Sequence, residues 1–105
     1  MSATPNASTA SVARALALIG ALAGHVVQGL RLKEICDVVQ QAPSTTLKDL
    51  YGLESLGWAE RIPGRDDCWR LTDRPVRISN HHREEVARWR SQLDHIDANY
   101  SRPWR

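Results

Sequence analysis

Cysteine is scarce in this chain. Its 105 residues hold two, Cys36 and Cys68, too few and too far apart for a disulfide framework or a zinc cluster. The expectation is two reduced thiols. Net charge is nearly absent as well: 14 basic against 12 acidic side chains leave +2, short of the basic excess that marks a bare nucleic-acid binder. Contact with DNA would require the cations to gather on one face. The apolar run around Leu16 to Ala23 is far shorter than the roughly 20 residues of a membrane helix. It follows a polar start with no basic segment and lies just after Arg14, so it does not read as a secretory signal. The expected location is the cytoplasm, on the nucleoid if the chain binds DNA. Catalytic motifs are missing too. His81 and His82 are neighbours that point about 100° apart on a helix, and His25 and His95 stand alone. No nucleophile motif or phosphate loop surrounds the serines or cysteines. The sequence therefore predicts no enzyme, no metal and no cofactor.

What remains is an ordinary soluble composition, 42% apolar and 25% charged, with length for one domain and a modest core. The most informative stretch is Ala42 to Gly57, APSTTLKDLYGLESLG. Pro43 suits a first helical turn, where its missing N–H would have no partner. Thr46, Leu50, Leu53 and Leu56 recur at helical spacing as one apolar stripe. Ser44, Lys48, Tyr51 and Ser55 fall on the opposite side with Leu47 at its edge, and Gly57 stops the helix.

Around this stretch the chain reads in order. Residues 1–10 are small and polar, the composition of a disordered tail. Ser11 to Ala23 predicts a first helix with Val12, Ala15, Leu16, Ile19, Leu22 and Ala23 inward, followed by a loop from Gly24. Leu32 to Val39 predicts a second helix with Leu32, Ile35, Cys36 and Val39 inside. Gln40 to Ala42 then turns into the central helix, which makes a helix-turn-helix spacing. Trp58 to Leu71 holds two short runs, WAERI and CWRL, around the turn residues PGRDD, and predicts a β-hairpin wing with Arg65 at its tip. Thr72 to Ile78 reads as an extended connector. Ser79 or Asn80 would cap a final long helix. On that helix Val86, Trp89, Leu93, Ile96 and Tyr100 step by three and four along an otherwise polar surface.

Three pieces carry a family resemblance: SVARALALIGALA, then LKEICDVVQQAPSTTLKDLYGLESLGWAER, then the short hairpin. Over residues 11 to 71 the chain resembles the N-terminal winged helix-turn-helix domain of IclR-type transcriptional regulators. In that family a Ser-Thr pair opens the recognition helix and a Leu-Glu-x-Leu-Gly-aromatic run closes it. Here these are Ser44-Thr45 and Leu53 to Trp58. The resemblance implies a mainly α fold with a small β-hairpin: a three-helix core, a two-stranded wing, and a long C-terminal helix. It makes Ser44, Thr45 and Lys48 the DNA-facing residues. Family members continue through a linker helix into an effector-binding domain, whereas this sequence stops at Arg105, so no small-molecule effector site is expected. Asp49 departs from the family pattern, since an apolar or neutral residue is expected there.

The organisation expected is a tail (1–10), a winged helix-turn-helix (11–73), and a connector with a C-terminal helix (74–105). The expected function is sequence-specific binding of double-stranded DNA for transcriptional regulation, with residues 43–56 in the major groove and the wing (58–71) on the backbone or minor groove. Arg31, Lys33, Lys48 and Arg65 would neutralise phosphates. Ser44, Thr45 and Tyr51 would offer hydrogen bonds, and Leu47 or Thr45 an apolar contact to a thymine methyl. The Val86–Tyr100 seam could pair with a second copy, pack on the first helix or bind another protein, with a homodimer favoured. The competing reading is a winged-helix module that binds a protein and not DNA, for example a phage or mobile-element regulator of a host protein. It is favoured if carboxylates interrupt the basic face and the last helix stays exposed.

Overall fold

Seven elements follow one another: α1 (Ala7–Leu22), β1 (Leu30–Arg31), α2 (Leu32–Val39), α3 (Pro43–Ser55), β2 (Ala59–Ile62), β3 (Arg65–Leu71) and α4 (Arg74–Tyr100). The computed structural model describes residues 7–104, with side chains from residue 9 onward. The fold is mainly helical, with three helices, a small antiparallel sheet as wing, and a long last helix.

Several boundaries differ from expectation. Helix α1 starts at Ala7, so residues 7–10 form its first turn and are not part of a tail. They contain no helix breaker, and alanine is the best helix former. The remainder of that expected tail, residues 1–6, lies outside the described residues. The face of α1 is also rotated. Leu18 and Leu22 are wholly buried, while Val12 and Leu16 are exposed. Helix α4 begins at Arg74, five residues before the expected caps. Pro75 is its second residue, within the first turn, where a proline removes no intrahelical bond.

The expected loop before α2 ends in a strand. β1 pairs with β3 through Leu30↔Trp69 and Arg31↔Cys68, giving a three-stranded sheet in the order β1-β3-β2. Gly29 admits this edge strand. Its φ is +71°, and a Cβ there would lie 2.7 Å from the Trp69 carbonyl oxygen. In the wing, Pro63 and Gly64 (φ +80°) connect β2 to β3, the residue pattern of a type II turn. That turn twists against a two-residue hairpin. The register shifts immediately behind it: Arg61 faces Trp69, but Ile62 faces Arg65.

The core of the unit ending at Arg74 joins all these elements. Leu18 and Leu22 of α1, Ile35 of α2, and Leu50 and Leu53 of α3 close over Leu30, Ala59, Trp69 and Leu71 of the sheet. A fully buried leucine contributes roughly 2–3 kcal/mol by removal from water, so this cluster is the main cohesive term. Cys36 and Cys68 are free and buried. A second unit begins at Pro75. Helix α4 is 27 residues long, about 40 Å at the usual rise, and none of its residues is buried.

Candidate nucleic-acid interface

Helix α3 has two chemically distinct sides. Its inner side places Thr46 and Leu50 at 0% exposure and Leu53 at 7%. Leu56, expected on that stripe, is exposed instead. It lies past the last helical residue as the C-cap, where the helical spacing no longer sets its direction. The end itself is a glycine-based stop. Trp58 N–H bonds the Leu53 carbonyl at 2.9 Å, and Gly57 N–H bonds the Glu54 carbonyl at 3.0 Å. That pair is the Schellman arrangement, with Gly57 at φ +80°. The Thr72 hydroxyl donates to the Gly57 carbonyl at 2.7 Å, which ties the end of the helix to the end of the wing.

The outer side carries Ser44, Thr45 and Lys48, all exposed. Ser44, Lys48 and Tyr51 share a face at helical spacing. Pro43 and Lys33 line one groove of about 420 Å³ at the α2–α3 turn, so Lys33 stands beside the start of α3. Lys48 lines a second groove, with Ser11 and Arg14 of α1. Leu47 is half-buried against the core, which leaves only its edge to the outside. Asp49 is explained by a residue 35 positions away: Arg14 Nε donates to its carboxylate at 2.8 Å. Asp49 is only 17% exposed, so it serves as a tie between α1 and α3.

The remaining predicted site residues are drawn into contacts within the chain. Arg31 faces Asp67 at 3.4 Å across β1 and β3. Arg65 is not at the tip of the wing, which is Pro63–Gly64. It opens β3 and donates through Nη2 to Cys68 Sγ at 3.5 Å. Tyr51 meets the Trp69 ring edge-on, with centroids 5.7 Å apart. Arg61, on a strand as the WAERI run implies, also sits at this junction, which no spacing in the sequence signals. Its guanidinium lies 5.9 Å from the Tyr51 centroid and 5.6 Å from that of Trp69, and its Nε is 3.3 Å from Glu54. The register that sets Arg61 opposite Trp69 could have been read only from a known strand pairing. On β2 and β3, Arg70 and Glu60 form a further pair at 2.7 Å.

Helix α4 leaves its seam largely exposed. Val86 is half-buried, and Trp89, Leu93, Ile96 and Tyr100 are all exposed. Trp104, beyond the helix, is 93% exposed. Among the described residues no helix is long and apolar enough to cross a membrane, and no group of three His, Cys, Asp or Glu could hold a metal ion.

The IclR helix-turn-helix domain model matches residues 11–63, just over half of the chain, from the second turn of α1 to the end of β2. The chain belongs to the IclR helix-turn-helix family, a regulatory and non-catalytic module. Its winged helix-turn-helix architecture is typical of DNA-binding regulators. No curated protein matches the sequence.

Proposed function

We propose that this chain is a sequence-specific, DNA-binding transcriptional regulator that inserts α3 into the major groove and acts as a homodimer. One observation carries the reading. Within the family-matched segment, α3 buries Thr46, Leu50 and Leu53 and turns Ser44, Thr45 and Lys48 to solvent. Small hydroxyl residues and one flexible cation at the start of a helix let the backbone approach base edges and phosphates closely. Lys33 adds charge beside that end, and the wing lies on the adjacent backbone or minor groove.

A near-neutral monomer with few base-reading groups binds weakly, so two copies are needed to read a site with useful strength. The exposed seam on α4 supplies the means. Trp89, Leu93, Ile96 and Tyr100 are costly to leave in water and suit interface anchors. In a parallel pair of helices, Glu85 of one copy faces Arg90 of the other, the attractive arrangement of charges flanking such a seam. A parallel pair puts both copies of α3 at the same end, as a two-fold DNA site requires.

Selection from random-sequence duplexes tests this. The expected product is a two-fold symmetric site with half-sites about one helical turn apart; recovery of unrelated sequences would contradict it. A monomer in sedimentation at high micromolar concentration would remove the homodimer.

A second reading has its own observation. Arg14, Arg31, Arg61 and Arg70 each face a carboxylate, and α4 exposes its apolar seam, the pattern set out above for a protein-binding module. The Arg31–Asp67 and Arg61–Glu54 pairs are solvent-exposed and therefore weak, and a second copy covers the seam as well as a foreign partner does. The DNA reading is therefore preferred.

A further inference from the structure

The junction between α3 and the wing holds an arginine that the recognition helix does not supply. We propose that Arg61 grips a backbone phosphate of bound duplex DNA, and that Glu54 competes with that phosphate for the same guanidinium, so that Glu54 limits the affinity. The proposal rests on the DNA reading above and adds its strength control.

Arg61 belongs to β2, but its guanidinium lies over two rings, those of Tyr51 and Trp69. Tyr51 is on the same outward side of α3 as Ser44 and Lys48. A helix in the major groove and a wing at the neighbouring minor groove straddle one phosphate strand, and the surface between them is this junction. The two ring contacts bias the guanidinium toward this position before DNA arrives, which lowers the entropy lost on contact. Tyr51 is exposed but meets buried Trp69 edge-on, so one of the two rings is anchored in the core.

Glu54 provides the competition. It sits one turn beyond Tyr51 on α3 and accepts from Arg61 Nε at 3.3 Å, long for a charge-assisted hydrogen bond. The bond uses one of five guanidinium N–H groups. Both side chains remain partly in water, 43% for Arg61 and 32% for Glu54, where such pairs are weak. A phosphate approaching the junction can displace Glu54, but it also meets the uncompensated carboxylate.

The test is a duplex-DNA titration by fluorescence anisotropy at several salt concentrations, using the wild-type 105-residue chain, Arg61→Gln, Arg61→Lys, Glu54→Gln, the Glu54→Gln/Arg61→Gln double variant, and Lys48→Ala. Thermal unfolding of each confirms the fold. Glu54→Gln should tighten binding several-fold. Arg61→Gln should weaken it and reduce the slope of log affinity against log salt by about 0.9, the value of one phosphate contact. Arg61→Lys, which keeps the charge and loses the planar guanidinium, should retain most of that slope. In the Arg61→Gln background, Glu54→Gln should gain much less. An unchanged slope in Arg61→Gln, while Lys48→Ala still weakens binding, would overturn the proposal and leave α3 as the reader. Weaker binding by Glu54→Gln would overturn the competition, because Glu54 would then be positioning Arg61. No binding by wild type even at low salt would overturn both readings together.

Discussion

Helices α3 and α4 each carry an apolar stripe at helical spacing, and the two stripes have opposite fates. On α3, Thr46, Leu50 and Leu53 lose nearly all contact with water. On α4, no residue is buried, and Leu93 keeps 61% of its exposure. The same kind of pattern therefore performs two jobs. On α3 it anchors the helix and holds in place the opposite side, the one proposed for recognition. On α4 it stays exposed, as the surface proposed for a second copy. The proposed function draws on the polar side of the first helix and on the apolar side of the second.

The sharpest way to break this comparison is to truncate one leucine from each stripe. Leu50→Ala should destabilise the winged unit by about 3 kcal/mol, since it removes a fully buried side chain and leaves a cavity; urea unfolding measures it. Leu93→Ala should leave that transition within about 0.5 kcal/mol and abolish self-association in sedimentation. Equal destabilisation by both would erase the distinction.

Two glycines of the recognition segment sharpen it further. Gly57 stands at φ +80°, and a Cβ there would meet the Arg74 guanidinium at 3.2 Å. Gly57→Ala should cost more than about 1 kcal/mol through the left-handed conformation alone. Gly52 has nothing within 4 Å of a Cβ, so no close packing justifies it. Gly52→Ala should raise stability by about 1 kcal/mol. A smaller effect than at either glycine is expected for Asp49→Asn, which removes the charged partner of Arg14. That side chain is 35% exposed, and solvent screening holds the loss to about 0.5–1 kcal/mol. The same denaturation series resolves all three.

How much of this was legible in the sequence follows from the physics of each element. Helices α2 and α3 could be read because polar and apolar residues alternate cleanly at their spacing. Helix α1 could not be oriented, because alanine and leucine surround it and Val12 and Leu16 look as apolar as Leu18 and Leu22. The start of α4 is hidden because its first turn contains Pro75 and falls inside TDRPVRI, a stretch that reads as extended, although a first turn is where proline costs least. The strand β1 was missed because two residues carry no period. At the candidate site, the exposure of Ser44 and Lys48 follows from helical spacing, and Thr45 enters through the family resemblance. The roles of Asp49 and Arg61 follow from neither, since they depend on Arg14 at 35 residues' distance and on a strand register that sets Arg61 against Trp69.

The central claim is that the outward side of α3 engages DNA. Fluorescence-anisotropy titration of a random-sequence duplex at low and moderate salt, with wild type and Lys48→Ala side by side, tests it most directly. The account predicts clear binding that weakens steeply with salt, together with a weaker, less salt-sensitive Lys48→Ala variant whose salt slope falls by about 1. Absence of binding at low salt, or a Lys48→Ala variant indistinguishable from wild type, would contradict it.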